Sequence, residues 1–470
     1  MSSRPNDVRN AGLVERFHIT LCDLGCDTCV VTFARYSTNS GLVLDRPTVL
    51  LALKHMILAH PALGVQIAGK HDKRPHFYRL PTVDLNSVLV YTTDLTDSLE
   101  AVVTSELTRP FTRGDNSPLW RALVRSDNTV IFSWHHAIGD GTCAHSFHAA
   151  FLSALNRSLA SEGDKSPIVD IPASHNLTLP IEQSVNVSMS FKSFCRTIYE
   201  VLAPVSWKPL QKAWTGNPVA SEPHVQVEVR LRQIEASAAQ RLLALCREHK
   251  CTLTAFLHTL ATLVLSHQLS ASKDAEALLK RYKTFSTITP ISLRRFSGVS
   301  PFEWCDQVSN YIAYPDITRD IEPYPPTKTS FAWGSAVAFG TSLHGHFKAS
   351  LQLIGSAKYL YKLGLSEKYF LDTLGKKRHG TFVLSNIGAM PSVPGTEEAQ
   401  QEDGTIWQVD DVCFGQNDAV FGSAIKMNMA GSPSGAINIA YTWGEGAIGV
   451  EFAEAFITDM HAAIASILST

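Results

Sequence analysis

Two kinds of hydrophobic pattern alternate along the chain. Short runs rich in β-branched and aromatic residues read as strands. Longer runs, with apolar positions recurring every three or four residues, read as helices. Cys29–Ala34, "CVVTFA", is a strand of the first kind. Pro47 then opens a helical pattern that Pro61 stops, as expected of proline just inside a helix start and beyond a helix end. A short strand is predicted at Val88–Tyr91. The polar loop "PFTRGDNSP" then feeds a strand at Trp120–Val124, and Val130–His136 is the next. After Gly141 the period changes: Phe147, Phe151 and Leu155 recur every four residues, with Ala144 and Leu152 beside them. Phe191, Phe194, Cys195, Ile198 and Leu202 mark an amphipathic helix, with Lys192, Arg196 and Glu200 elsewhere on it. It reads as a core-packed crossover helix; the alternative is peripheral docking on a membrane surface through 191–202.

Residues 205–224 have linker character. A fresh strand, "VQVEVRL", follows, then helices at Ile234–His249 and Thr252–Leu265, with Thr252 as N-cap. "TFSTITPISLRR", "TFVLSN", "TIWQVDDVCF", "SAIKMNMA" and "GAINIAYTW" read as strands, and Val450–Leu468 as a closing helix. Strands and helices alternate in both halves, so the class is α/β. The organisation is an N-terminal lobe at 1–185, a crossover helix and linker at 186–224, and a C-terminal lobe at 225–470.

Composition narrows the partners. The 470 residues are 45% hydrophobic and 18% charged, with a formal net charge of −2. Nucleic acid usually demands a basic patch, so it is not an expected partner. "MSSRPNDVRNAG" has no apolar signal region. The most apolar stretch, Leu253–Leu265, is broken by Thr254, His258, Thr259 and Thr262, so no spanning segment is expected. A soluble, cytoplasmic protein with its nine cysteines as free thiols is the expectation. Cys22, Cys26 and Cys29 lack a second ligand pair of zinc-site type.

The candidate chemistry lies in "SWHHAIGDGTCAHSFH", Ser133–His148. If a strand runs through His136, successive side chains face opposite ways, so His135 and His136 cannot both line one site. That argues against a chelate by the adjacent pair. A metal-dependent hydrolase using His136, Asp140 and His148 is one reading, helped by His145 and His148 sharing a helical face. A single histidine acting as general base is another. Asp140 then either orients that histidine, as in a triad, or caps a helix starting at Thr142. A pair of buried structural histidines is the third reading.

His135-His136-Ala137-Ile138-Gly139-Asp140-Gly141 matches the HHxxxDG motif of the CoA-dependent acyltransferase superfamily, which includes chloramphenicol acetyltransferases, plant BAHD enzymes and condensation domains. "GLVERFHITLCDLG" at 12–25, "HPAL" at 60–63, "PLWR" at 118–121, "TITPISLRR" at 287–295 and "TFVLSNIG" at 381–388 fall in the expected order. Together they make the chain resemble the fungal alcohol acetyltransferase branch over nearly its whole length. It departs from the plant branch at "DVCFGQND", where that branch carries DFGWG.

The resemblance implies two chloramphenicol-acetyltransferase-like α/β lobes, each a mixed sheet with covering helices, with a channel between them. It implies acyl-CoA as co-substrate, no bound cofactor and no metal, and a small-molecule alcohol or amine as acceptor, in a monomer. His136 becomes the general base, with His135 and Gly141 structural. Asp140 turns away from the base to clamp its loop against an arginine of the second lobe, for which Arg294 is the candidate. Ser385 and Asn386 are candidate oxyanion or channel residues; a turn closing their strand is the alternative. Arg294 is alternatively a surface charge on an edge strand. Competing functions are an acyltransferase-fold enzyme that condenses or cyclises without CoA, and a non-catalytic binding protein.

Overall fold

The structure, a computed structural model, describes residues 6–68, 74–158, 166–191, 195, 199, 209–297, 307–322, 331–391, 405–417 and 420–469. Two mixed sheets form its frame. The first runs in the order Trp407–Gln416, Val30–Thr38, Thr129–Trp134, Trp120–Arg125, Leu89–Thr92. Its neighbours are antiparallel except the last pair, which is parallel. Alternation assigns its faces. Val30, Ala34, Phe132 and Trp134 join one core cluster, while Val31 and Ile131 join another. On the first face the helix Cys143–Ser158 brings Phe147 onto Phe132, rings stacked 3.7 Å apart. On the second face Val103 of the helix Leu99–Thr108 and Val227 and Val229 of the second lobe close the packing.

The second sheet runs Ala213–Trp214, Thr284–Ile288, Phe382–Ala389, Ile425–Gly431, Ile437–Gly444, Val227–Ile234, with Asp316–Asp320 also paired to Thr284–Ile288. The helix Leu253–Ala271 is buried nearly all round, as its continuous apolar character requires. Thr252 caps it, its Oγ1 accepting from the Ala255 N–H at 3.1 Å. The helices Ala236–Glu248 and Val450–Leu468 pack into the same core. The fold is thus the expected pair of mixed α/β lobes.

Several expectations are revised. The strand carrying the motif ends at Trp134, not His136. Beyond it the chain turns, with the Ile138 N–H bonded to the His135 carbonyl and the Trp134 indole N–H to the Gly139 carbonyl at 2.9 Å. "TFSTITPISLRR" is not one strand: Pro290 separates Thr284–Ile288 from Ile291–Ser292, and Arg294–Phe296 is a 3₁₀ turn. Trp407–Gln416 belongs to the first sheet although it lies in the 225–470 segment; it pairs with Val30–Thr38, Cys413 opposite Phe33. The segment 186–224 also contributes a strand, Ala213–Trp214, to the second sheet. The helices Leu13–Asp23 and Trp333–Leu363 were not among the elements expected. The amphipathic stretch at 191–202 lies mostly outside the described residues. No helix among those described is long and apolar enough to cross a membrane.

Candidate active site

The His135–Gly141 loop sits where the lobes meet, and both lobes hold it. Asp140 is the main tie. Its Oδ2 accepts from Arg294 Nη1 at 2.6 Å and from the Tyr311 backbone N–H at 2.8 Å. Its Oδ1 accepts from the Thr142 backbone N–H at 3.0 Å and the Thr142 hydroxyl at 2.6 Å. One oxygen therefore caps the helix Cys143–Ser158 while the other takes the arginine. Burial opposes its charge, but Arg294, Thr142 and Tyr311 outweigh it and hold the carboxyl below the usual carboxylate range. The two structural readings of Asp140 are both realised, one on each oxygen. The triad arrangement is not: the two oxygens are bonded to Arg294, Tyr311 and Thr142 rather than to a histidine.

Arg294 is buried rather than exposed on an edge strand. Its Nη2 also donates to the Ser309 carbonyl at 2.8 Å. The Asp140 N–H donates to that same carbonyl. Gly141 is required by close approach, since a Cβ there would lie 3.0 Å from Phe414 and 3.3 Å from Ile387.

His135 and His136 diverge because the chain turns, not because a strand alternates. Both are buried. His135 Nδ1 accepts from the Ala137 N–H at 3.0 Å, and burial, Arg113 and the neighbouring histidines push it down to about 3. This is a buried, neutral side chain. His136 faces other chemistry. Its Nε2 lies 3.4 Å from Gln416 Oε1. Its ring stacks on His18, centroids 3.6 Å apart and planes 8° from parallel. Its carbonyl accepts from Asn310 Nδ2 at 2.8 Å, a second tie to the far lobe. Its Nδ1 has no hydrogen-bond partner among the described residues. Burial and then His18 push His136 down to about 4, against Asp27, its own backbone and Asp140. At neutral pH the ring is uncharged and can accept a proton.

Gln416 has a fixed orientation. Asn428 Nδ2 donates to the Ala440 carbonyl, so its Oδ1 is the acceptor for Gln416 Nε2 at 3.2 Å. The same Nε2 donates to Ser385 Oγ at 3.2 Å. That leaves the Gln416 carbonyl pointing at His136. Ser385 is thus two links from the histidine. Asn386 is not part of this group: its Nδ2 donates to Thr254 Oγ1 at 3.0 Å and its Oδ1 accepts from the Gly388 N–H at 2.9 Å. Its strand does not end there but runs on to Ala389, with an irregularity after Asn386.

The metal reading finds no cluster. His148 Nδ1 meets the Tyr36 hydroxyl at 2.8 Å, and His145 Nε2 meets the Gly388 carbonyl at 3.2 Å. Among the described residues, no three His, Cys, Asp or Glu side chains are placed to hold an ion. The described cysteines are free thiols. Sequence reasoning missed His18, Asp27, Asn310, Tyr314 and Gln416. His18 and Asp27 lie in or just beyond the "GLVERFHITLCDLG" block. Gln416 lies in "DVCFGQND", the stretch that departs from the plant branch.

The chain can be compared with known proteins on this geometry. It is 23% identical over 493 residues to a probable alcohol acetyltransferase, FCK4, of Fusarium pseudograminearum, covering 97% of this chain and 94% of that one. It is 23% identical to another, crmB of Aspergillus fumigatus, over 87% of this chain and 88% of that one. Among solved structures, the trichothecene 15-O-acetyltransferase TRI3 of Fusarium sporotrichioides superposes with a TM-score of 0.70 at 11% identity, over 98% of this chain and 94% of that one. The condensation domain of the monacolin K polyketide synthase MokA gives 0.62 at 11% identity, over 98% of both. These superpositions are likenesses of fold. The alcohol acetyltransferase family model itself matches residues 91–458, and the chain belongs to that family.

Proposed function

We propose that this acyltransferase moves an acyl group, acetyl in the first instance, from acyl-CoA to a hydroxyl or amine of a small molecule, with His136 as general base. The observation that carries the reading is the state of His136: neutral, buried, and held at the lobe seam by the Asp140–Arg294 tie. A thioester needs no nucleophilic serine, because the thiol already activates the acyl carbon. His136 takes the acceptor proton on its unprotonated ring nitrogen as the acceptor oxygen or nitrogen bonds to that carbon. The tetrahedral oxyanion needs a donor. Ser385 suits this better than Asn386, because Ser385 Oγ accepts from Gln416 and keeps its own hydrogen, whereas the Asn386 amide is engaged elsewhere. The C–S bond then breaks with its electron pair going to sulfur, and His136 returns the proton to the thiolate. Neither an acyl-enzyme nor a metal is needed.

His136 is 2% exposed, so both substrates reach it by parting side chains at the seam. Both substrates meet at one histidine, which makes a ternary complex the working form. The test is free thiol release from acetyl-CoA with a panel of alcohols and amines, with His136→Ala as control. Release that depends on the acceptor and on His136 supports the reading. Failure to release thiol with any acceptor favours condensation or cyclisation without CoA, a chemistry this fold also carries in condensation domains.

A further inference from the structure

A hydroxyl-activating histidine commonly leans on a carboxylate. Asp140, the carboxylate nearest His136 in sequence, does not serve: both its oxygens are bonded elsewhere. Support for His136 comes instead to the face of its ring. His18, from the helix Leu13–Asp23, lies flat against it at 3.6 Å. His18 is held at both nitrogens, Nδ1 lying 3.4 Å from Asp27 Oδ2 and Nε2 lying 3.3 Å from the Tyr314 hydroxyl. Asp27 is fixed in turn, its Oδ1 accepting from the Thr28 N–H at 2.8 Å. His18 and Asp27 are both buried.

We propose that His18 and Asp27 are positioning residues for His136: the His18 ring, held by Asp27 and Tyr314, fixes the plane of the base, and Asp27 supplies the counter-charge for the imidazolium formed during transfer. The inference rests on His136 being the base. During the reaction the acceptor proton moves to the unprotonated nitrogen of His136, and until it passes to the thiolate the ring carries a positive charge in a buried site. A carboxylate beyond the stacked His18 ring stabilises that charge without occupying the edge of the His136 ring. Among the described residues, the other titratable or charged groups coupled to His18, Asp27 or His136 include His135 and Asp140 on the motif loop, Tyr314, Lys426, and Cys22, Cys26 and Cys29 beside Asp27. Burial raises Asp27, while His136 is the strongest influence favouring its charged form, ahead of Lys426 and the Thr28 N–H.

The test uses His18→Phe, which keeps a ring in the stack, Asp27→Asn, which keeps the acceptor for Thr28, and the double variant. Turnover is followed as thiol release from acetyl-CoA with the panel alcohol that reacts fastest. Histidine-ring NMR, with His136 assigned by its loss in His136→Gln, follows titration from pH 8 down to the onset of acid unfolding. Each single change is expected to lower kcat roughly 10-fold while KM for acetyl-CoA stays within about twofold. The double variant is expected to fall no further than the worse single. In Asp27→Asn the His136 titration moves to lower pH. Asp27→Glu recovers part of the lost kcat. Full kcat in either folded single variant, additive losses in the double, or an unmoved His136 titration overturns the proposal. If Asp27→Asn does not fold, His18→Phe decides by kcat and KM: a wild-type kcat means that the ring merely packs. Turnover lost in His136→Gln but kept in Asp27→Asn removes the dyad and leaves the base. Turnover kept in His136→Gln removes both.

Discussion

The His135–Gly141 loop is flanked by two polar groups that differ in how tightly they are bonded. On the Asp140 side the bonds are short: 2.6 Å to Arg294, 2.8 Å to Tyr311, and 2.6 and 3.0 Å to Thr142. On the His136 side they are long: 3.4 Å to Gln416, 3.4 Å from His18 to Asp27, and 3.3 Å from His18 to Tyr314. Both sides are buried. The difference teaches a division of labour. A fully bonded carboxylate between lobes fixes where the loop sits. A ring held by stacking and long contacts keeps a nitrogen available to a substrate, and such contacts tighten when the substrate arrives.

Acid separates the two sides most strongly. His60, His136 and His145 are pushed by burial down to about 4, and His135 and His148 to about 3. In the unfolded chain these rings take protons near pH ~6.5. Folding stability is therefore intact above that value and is lost as pH falls toward 4. Asp140 contributes in the same direction, but its contribution is lost only as pH falls below the ordinary carboxylate range toward its depressed value. Asp27, raised, works the opposite way and gains a little as pH falls. Thermal melts followed by circular dichroism are expected to fall in melting temperature from about pH 6.5 toward 4 while the protein stays folded at low temperature. A melting temperature that falls only below the carboxylate range would mean that the clamp sets the acid limit, and the contrast fails.

The next largest effect belongs to the clamp. Asp140→Ala leaves Arg294 charged and buried, and a loss of ~3–5 kcal/mol in denaturant unfolding is expected. Arg294→Met is expected to cost a similar amount, and the two together less than their sum. A clamp variant that melts like the wild type yet turns over slowly would move Asp140 into the chemistry.

Gln416→Ala sharpens the other side. It removes the contact to His136 Nε2 and the links to Ser385 and Asn428. Turnover is expected to fall roughly 10-fold, with a stability cost of about 1–2 kcal/mol from the polar groups left behind. Asn386→Ala is the smallest change: about 1 kcal/mol of stability, for the bonds to Thr254 and Gly388, with kcat unchanged. If Asn386→Ala slows turnover as much as Gln416→Ala does, the oxyanion assignment is reversed.

Local pattern was enough to read the helices near 46–59, 143–158, 236–248, 253–271 and 450–468, because each carries its own apolar period. It was enough to find the strand at 407–416, but not its sheet, since pairing with 30–38 spans most of the chain. Trp333–Leu363 was not legible because Gly334, Gly340, Gly345 and Gly355 interrupt it and its buried positions are sparse. Gly355 has a reason to be there: a Cβ would meet the Val187 carbonyl. Of the site, His135, His136, Asp140 and Gly141 could be marked from one heptapeptide, and Arg294 only through a family likeness. His18, Asp27 and Gln416 could not be marked. Their contacts with the motif are made by folding, and a lone His or Gln in an apolar run looks like any satisfied core side chain.

The most direct measurement is thiol release from acetyl-CoA by His136→Ala beside its thermal melt. The account predicts turnover lower by roughly 10²–10⁴-fold in a protein that still melts cooperatively, at a somewhat lower temperature because a buried stacked ring has been removed. Wild-type turnover in a folded His136→Ala protein would contradict it.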